Sequence, residues 1–323
     1  MNLRANILIV AFAVFGQVSP GLARETNDVP VIGILRASSA TARDPTYDAL
    51  DSALQRIGYF IGKNIRLEQR FAERDAQRLP RLADELVRMK VDVIIAGNEA
   101  SLRAAKLSTS TIPIVAIAYD HDPVAAGLIH SMRRPGGNIT GIYSRQVELA
   151  GKRLELLKET VPGLKQVAVL HEATGPRPAG LDALGKQLGL QLRTVPLANA
   201  TEFGAIFKRA REDSQAATLV FSSRFFDDRE RIAANAIEAG LPVMSPEREF
   251  VAAGALMSYA PDRQEIAGRV AYLLDRVLRG ANPGELPFEE ASRFKLVINA
   301  RTAKALGVRI PQSVLMRADE VIQ

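Results

Sequence analysis

Polar side chains follow several short apolar runs of the chain, at the points where strands of a sheet would end. In an open α/β sheet, ligands bind at the carboxyl ends of the strands. Hydroxyl, amide, charged and ring-bearing side chains at such positions bind a small solute reversibly. The candidate ligand-binding residues are Arg36, Ser38, Ser39, Asn98, Glu99, Ala100, Tyr119, Asp120, Tyr143, Glu172, Ser222, Ser223, Arg224, Ser245 and Tyr259.

Several of these candidates have two interpretations from sequence. Arg36 either pairs with a ligand carboxylate through its guanidinium or forms a salt bridge with a neighbouring acid. Asn98, before a predicted helix, either contacts an anionic group of the ligand or caps the helix. Ser38 and Ser39 either contact the ligand or satisfy their own loop, and Asp120 is suited to hold an amine. The tyrosines either stack on a ring-bearing solute or pack at a hinge.

Residues for catalysis are sparse. The chain has three histidines, His121, His130 and His171, and no cysteine, so familiar metal and thiol arrangements are missing. It contains neither a Gly-x-Ser-x-Gly turn nor a Walker-type phosphate loop. His121 lies between Asp120 and Asp122, but three adjacent residues rarely converge on one ion. We therefore expect a protein that is not an enzyme and that holds no metal or cofactor.

The elements that must position these side chains alternate between short strands and amphipathic helices. Residues 31–35 are a continuous apolar run of strand length, as expected for a strand buried on both faces, and residues 91–96 and 112–118 are predicted as further strands. Between them, Leu79, Leu82, Leu86 and Met89 recur at helical spacing. Because a helix between strands forces parallel pairing, this part predicts a doubly wound sheet.

The same pattern restarts after a turn at residues 134–138, with a strand predicted over residues 218–222 among others. Later, Asp262 precedes a helix and residues 294–298 form a further strand, which suits a chain that crosses between two lobes more than once. The predicted fold is α/β, with two doubly wound parallel-sheet lobes joined by a multi-strand hinge. We place lobe 1 at residues 24–141 plus about 260–290 and lobe 2 or the hinge region at 142–259 plus about 291–323. A hinged cleft captures a ligand by closing.

The N-terminus has the features of a cleaved signal peptide over residues 1–23. An apolar run at residues 7–15 is followed by Gly21 and Ala23, small residues at the −3 and −1 positions of a cut after Ala23. The run is too short to cross a bilayer, which takes roughly 20 residues. Because no cysteine is present to carry a lipid, we expect a soluble protein free in the periplasm of a Gram-negative cell.

Composition agrees with a well-packed globular protein, at 47% hydrophobic and 24% charged residues. The net charge of +6 comes from basic residues interleaved with acidic ones, without aromatic-basic clusters. A solvated surface is therefore favoured over a nucleic-acid site. We expect a monomer.

A series of segments in a characteristic order resembles a known family. The most characteristic is Arg-Pro-Gly-Gly-Asn-Ile-Thr-Gly at 134–141, and the others lie at residues 54–64, 79–96, 111–115, 122–124, 148–158, 257–259, 295–299, 310–313 and 318–322. Together they resemble the ABC transporter substrate-binding family that includes tryptophan-type (TrpX-like) proteins of the periplasmic-binding type I fold. The resemblance covers nearly the whole mature chain. It implies a receptor that delivers solute to a membrane permease driven by an ATPase, and Arg36 departs from the small or polar residue usual there.

Three functions therefore stand at this point. The first is a periplasmic receptor of an ABC importer that captures a small polar organic ligand, with an amino-acid-like ligand favoured because the chain has no tryptophan to stack on a sugar. The second is a ligand-binding sensor whose closed form docks on a membrane receptor. The third is a periplasmic enzyme, which would need a catalytic cluster in the cleft.

Overall fold

The computed structural model describes residues 29–40, 45–118, 121–173, 180–198, 200–220 and 222–323. The predicted signal peptide, Tyr119 and Asp120 lie outside these ranges. Within them, no helix is long and apolar enough to cross a membrane.

The first sheet forms lobe 1 and contains parallel strands in the order β11-β5-β4-β3-β1-β2. Its central strands are buried along their whole length, because helices cover both faces of the sheet. The strands are β1 (Val31–Arg36), β2 (Arg66–Phe71), β3 (Val93–Ala96), β4 (Ile114–Ala118), β5 (Ile139–Tyr143) and β11 (Glu289–Glu290).

Two helices cover each face of this sheet. On one face, α1 (Pro45–Arg56) packs against α10 (Arg263–Leu278), and their apolar sides share a core with the sheet. On the other face lie α2 (Leu79–Arg88) and α3 (Glu99–Ser108). The α10 helix follows α1 by about 200 residues, so lobe 1 is completed only when the chain returns to it from lobe 2.

The second sheet forms lobe 2, in the order β13-β12-β10-β9-β8-β6-β7. Strand β12 enters this sheet from the hinge end and runs antiparallel to β10, while the other described pairs are parallel. The strands are β6 (Gln166–Glu172), β7 (Gln191–Leu197), β8 (Ala216–Leu219), β9 (Val243–Ser245), β10 (Met257–Pro261), β12 (Phe294–Asn299) and β13 (Glu320–Ile322).

Helices also cover both faces of the second sheet, and each face has a separate apolar core. Leu154, Leu157 and Val314 contribute to one core, and Phe207 and Phe250 to the other. The helices are α4 (Gln146–Thr160), α5 (Leu181–Leu188), α6 (Phe203–Asp213), α7 (Ser223–Asp227), α8 (Arg229–Glu238), α9 (Arg248–Ala252), α11 (Ala300–Ala305) and α12 (Gln312–Leu315).

One carboxylate joins two of these helices. Glu159, on α4, accepts a hydrogen bond of 2.7 Å from the hydroxyl of Ser313 and also pairs with the guanidinium of Arg317. The Ser313 hydrogen bond, followed by the positive charge of Arg317, lowers the pKa of the Glu159 carboxyl below its usual value. The folded protein therefore favours the ionised form of this carboxyl.

The element predictions hold for most of the longer segments, with one misplaced strand. The strand predicted over residues 218–222 is wrong in position, because β8 occupies Ala216–Leu219 and Ser222 stands just before α7. The short elements α7, α9, α12, β11 and β13 were not predicted. They have two to five residues, which is too short for a periodic pattern, and tertiary pairing defines them.

Three segments carry the chain between the two sheets, after β5, after β10 and after β11. They lie side by side: the amide of Ala291 donates to the carbonyl of Tyr143 at 2.9 Å, and the amide of Asp262 donates to the carbonyl of Arg293 at 2.8 Å. The carboxylate of Glu265 also accepts a hydrogen bond from the Arg293 amide at 2.7 Å. These bonds make the three segments one hinge.

Candidate functional site

The carboxyl end of β1 places Arg36 at the edge of the lobe 1 sheet. Its guanidinium lies 4.6 Å from the ring centroid of Tyr47 and 5.3 Å from that of Phe71, and the residue is only 8% exposed. Phe71 is the register partner of Arg36 on β2, and Tyr47 lies in the first turn of α1. Two aromatic faces therefore hold a buried positive charge at this edge.

Gly97, directly after β3, gives Tyr47 the room it needs. A Cβ atom on Gly97 would lie 2.7 Å from the Tyr47 hydroxyl oxygen, closer than carbon and oxygen atoms pack. Glycine at this position therefore lets the phenol lie across the ends of β1 and β3. The position of the Arg36 guanidinium depends in turn on this ring.

Asn98 caps α3, as one of its two interpretations predicted. Its side-chain oxygen accepts the amide of Ser101 at 2.9 Å, and the Ser101 hydroxyl accepts the amide of Asn98 at 3.1 Å. This reciprocal capping box fixes the start of the helix. Glu99 pairs with Arg103 one turn along the same helix, at 2.6 Å, and Ala100 is exposed.

The remaining lobe 1 candidates lie in the loops beside this edge. Ser38 and Ser39 are half-buried in the loop after β1, and the Ser38 carbonyl accepts the amide of Glu73 at 3.3 Å. Tyr143 is half-buried at the end of β5. Burial raises the pKa of the Tyr143 hydroxyl, and the negative charge of Asp122 adds to the effect.

In lobe 2, the structure brings together two candidates that are 50 residues apart. The hydroxyl of Ser222 donates a 2.9 Å hydrogen bond to the carboxylate of Glu172. Beside them, Nδ1 of His171 lies 3.0 Å from the carbonyl oxygen of Glu172. Ser223 and Arg224 begin α7, and their side chains lie outside the described part of the chain. A half-buried carboxylate at the end of β6 is suited to receive an ammonium group.

Two further candidates have structural contacts within lobe 2. Ser245 is buried, and its hydroxyl donates to the carbonyl of Glu247 at 2.7 Å. The ring of Tyr259 stacks on Phe294, with centroids 5.7 Å apart. The packing interpretation thus describes Tyr259, and the same strand end supplies a carbonyl to Arg153.

Charged residues that the sequence interpretation omitted lie at the hinge. Arg263, the first residue of α10, donates to the Thr46 hydroxyl on α1 at 2.7 Å and to the carboxylates of Glu247 and Glu249 at 2.8 and 2.9 Å. One guanidinium therefore joins lobe 1 to lobe 2. Its sequence signal was its position, directly after the capping residue Asp262 at a predicted crossing.

Arg153 is a second omitted residue, buried inside lobe 2 on α4. Its Nε donates to the carbonyl of Tyr259 at 2.8 Å. Burial lowers the pKa of Arg153 to about 10, and the negative charge of Glu247 partly opposes that shift. Helical spacing to the apolar positions Ala150 and Leu157 places Arg153 on the buried face, which is a signal that the sequence carries.

Comparison with known proteins identifies the family. Residues 31–322 match the family model described as ABC transporter substrate binding protein. The chain belongs to this family. As an ABC transporter substrate-binding protein, it is similar to a tyrosine-binding protein of Clostridioides difficile, at 25% identity over 282 residues, which are 86% of this chain and 81% of that protein.

Solved structures show the same fold. A conserved domain protein of Vibrio cholerae matches with a TM-score of 0.81 at 24% identity, over 91% of this chain and 100% of that one. An ABC domain from Streptococcus pneumoniae, in complex with L-Trp, matches with a TM-score of 0.80 at 22% identity and the same coverage. The ligand-free, open structure of a Clostridium difficile substrate binding protein gives 0.68 at 23% identity, also with the same coverage. The predictions of this family and of two parallel-sheet lobes are confirmed.

Proposed function

We propose that this ABC transporter substrate-binding protein captures an amino-acid-like ligand in the cleft between its lobes and delivers it to the permease. The observation that carries the ligand class is its similarity to a protein named for binding tyrosine, together with the shared fold of a protein in complex with L-Trp. Both named ligands are amino acids with an aromatic ring. They share a carboxylate, an ammonium group and an apolar side chain.

The two sheet edges supply charges that suit such a ligand. Lobe 1 has the buried cation of Arg36 at the end of β1. Lobe 2 has the carboxylate of Glu172, held by Ser222, at the end of β6. A zwitterion with its carboxylate toward Arg36 and its ammonium toward Glu172 would contact both lobes. Because each charge comes from a different lobe, such a ligand would bind the closed form more tightly than the open form.

We propose the other candidate residues as ligand contacts because of their positions in the fold. Asn98, Ser38, Ser39 and Tyr143 lie beside the lobe 1 edge, and the first residues of α7 lie beside Glu172. We retain Tyr119 and Asp120 as proposed ligand contacts on sequence grounds. Ser245 and Tyr259 support the site from lobe 2, through the contacts of Ser245 with Glu247 and of Tyr259 with Phe294.

The proposal extends to the fate of the chain in the cell. We propose that residues 1–23 are removed on export and that the mature protein acts in the periplasm as a monomer.

The sheets support lobe boundaries near residue 141 and near residues 260 and 290, because β5 and β11 belong to the first sheet and β10 and β12 to the second. We propose that the cleft binds its ligand without chemical change.

A thermal-shift screen followed by calorimetric titration tests the ligand class. The panel contains L-tyrosine, L-tryptophan, other amino acids, the matching amines and carboxylic acids, sugars and purines. A ligand at 100 times its Kd adds about 2.7 kcal/mol to the free energy of unfolding, which raises Tm by roughly 5 °C in a chain of this size. We expect that rise with an intact amino acid and a much smaller one when either charged group is missing.

Two variants assign the charges. Arg36→Met should weaken binding of the amino acid but leave binding of the matching amine unchanged. Glu172→Gln should also weaken binding of the amino acid but leave binding of the matching carboxylic acid unchanged. Arg56→Met, at the exposed end of α1, is the control. Stabilisation by sugars alone would refute the ligand class, and chemical turnover of any hit would refute simple binding.

A further inference from the structure

The turn after β2 has an unusual backbone. Glu73 and Arg74 are consecutive non-glycine residues with φ angles of 55° and 65°, in the left-handed region that side chains disfavour. The turn is held by the loop after β1, because the amide of Arg74 donates to the carbonyl of Ala37 at 2.9 Å. The carboxylate of Glu73 in turn accepts the amide of Ala40 at 3.0 Å. The loop after β1 thus maintains a strained turn at the cleft edge of lobe 1. Strained turns of this kind concentrate at functional positions.

The strained turn directs Arg74 to the opposite lobe. Its guanidinium forms an ion pair with the carboxylate of Asp227, the last residue of α7, 153 residues along the chain. The Asp227 side chain is 16% exposed and the Arg74 side chain 48% exposed. Arg74 follows a strand of the first sheet and Asp227 follows a strand of the second. The pair therefore spans the cleft between the lobes.

In lobe 1, the strand that leads to Arg74 lies far from the hinge. Strand β2 is at one edge of its sheet, whereas β5 and β11, which lead into two of the hinge segments, are at the other. With strands about 4.8 Å apart, β2 lies roughly 19 Å from β5. A rotation of about 10° about the hinge therefore shifts β2 by roughly 3 Å, and a shift of that size between the partners breaks a direct ion pair. The Arg263 contacts, by contrast, start at the hinge itself.

We propose that the Arg74–Asp227 ion pair is a latch that stabilises the closed cleft. The latch rests on the proposed function only in requiring that the lobes open and close. Its partners separate when the cleft opens, so its interaction energy favours the closed form alone and moves the equilibrium toward closure. Helix α7 makes a second contact with the hinge side, because the Arg263 guanidinium lies 6.0 Å from the ring centroid of Phe226. The strained turn fixes the point from which Arg74 reaches across the cleft.

The absence of cysteine makes the latch directly measurable, since two introduced cysteines are the sole labelling sites. Asp84→Cys on α2 and Glu212→Cys on α6 are exposed, one in each lobe. Single-molecule energy transfer between dyes on them reports the distance between the lobes in the free protein and with ligand. Arg74→Ala and Asp227→Ala should each lower the ratio of closed to open molecules about two- to five-fold. The charge-exchanged double variant, Arg74→Asp with Asp227→Arg, should recover most of that loss.

The matched control is Arg317→Ala. Arg317 is 45% exposed and forms an ion pair with Glu159 inside lobe 2, so its loss should leave the distance between the lobes unchanged. The same variants are titrated with L-tyrosine and L-tryptophan, where Kd should rise by the factor by which closure falls. If neither amino acid binds, these two are excluded as ligands, while the distance measurement on the free protein still decides the latch. Equal closed-to-open ratios in the wild type and both alanine variants, or no recovery in the charge-exchanged variant, would overturn the latch.

Discussion

Replacing Gly97 by alanine tests whether the Tyr47 ring holds Arg36 in place at the candidate site. The new Cβ would lie 2.7 Å from the Tyr47 hydroxyl oxygen, whereas the next nearest atom, Cζ of the same ring, is 3.9 Å away. The hydroxyl must therefore move by about 0.7 Å, and overpacking of this kind costs about 2 kcal/mol. Alanine also restricts the unfolded chain, which returns about 0.7 kcal/mol. We expect Gly97→Ala to lower the free energy of unfolding by about 1 kcal/mol.

The contact that causes this loss is a single oxygen atom, so a second substitution should relieve it. In a Tyr47→Phe background the nearest remaining atom is Cζ, at an ordinary van der Waals distance of 3.9 Å. Gly97→Ala should then be neutral or stabilising by about 0.5 kcal/mol. The coupling energy in the double-mutant cycle should be about 1.5 kcal/mol, well above the roughly 0.5 kcal/mol scatter of independent sites.

Urea unfolding of the wild type, both single variants and the double variant measures this coupling. Ligand titration of the same four proteins extends the test to the site, because Tyr47 stacks on Arg36. Gly97→Ala alone should weaken ligand binding about ten-fold, and the double variant should bind as Tyr47→Phe does. Additive stabilities would refute the reasoning, since they would mean that the alanine does not meet the Tyr47 hydroxyl.

Three further predictions concern the scaffold. Gly141→Ala should lower the free energy of unfolding in urea by about 3 kcal/mol, because its Cβ would overlap the carbonyl oxygen of Ala116. Gly268→Ala, with open space around it in α10, should raise that free energy by about 0.5 kcal/mol, and similar effects of the two variants would contradict this reasoning. Lys90→Gly should stabilise by about 1 kcal/mol, because Lys90 has a φ of 55° at the end of α2, and a loss of stability would argue against left-handed strain there. Glu159→Gln should cost about 0.5 kcal/mol at pH 7. Since the folded pKa of this carboxyl is lowered, that cost should shrink as pH falls below about 4.5, and a cost that is the same at pH 7 and pH 3 would exclude ionisation as its source.

The strands and longer helices could be predicted from sequence because local patterns encode them. A strand buried on both faces reads as a continuous apolar run, which β3 and β4 display, and a helix with one apolar face repeats every three to four residues, as α2 does. The strand predicted over residues 218–222 was misplaced because Ala216 and Ala217 are small residues of weak strand preference, and their pairing with neighbouring strands decided the matter.

The sequence predicted where the candidate residues lie in the two sheets, but not their contacts. The rule that ligands bind at the carboxyl ends of strands selected Arg36, Glu172 and Ser222, and the structure places all of them at such ends. It could not show that Arg36 lies between two aromatic rings or that Ser222 binds Glu172, because these partners come from other strands and helices. The order of the strands and the packing of the helices together determine which side chains meet.

The sequence by itself determined the fold class and the family of this protein, because alternating apolar runs and characteristic segments are properties of neighbouring residues. The tertiary structure decided what the charged residues do. Arg153 binds the Tyr259 carbonyl, Arg263 joins the lobes, and Arg74 reaches Asp227 across 153 positions of chain. The Arg263 and Arg74 contacts require that the chain pass between the two sheets, and the Arg153 contact requires that distant segments pack together within lobe 2. The energies of these contacts depend on the tertiary geometry, and no local sequence pattern encodes that geometry.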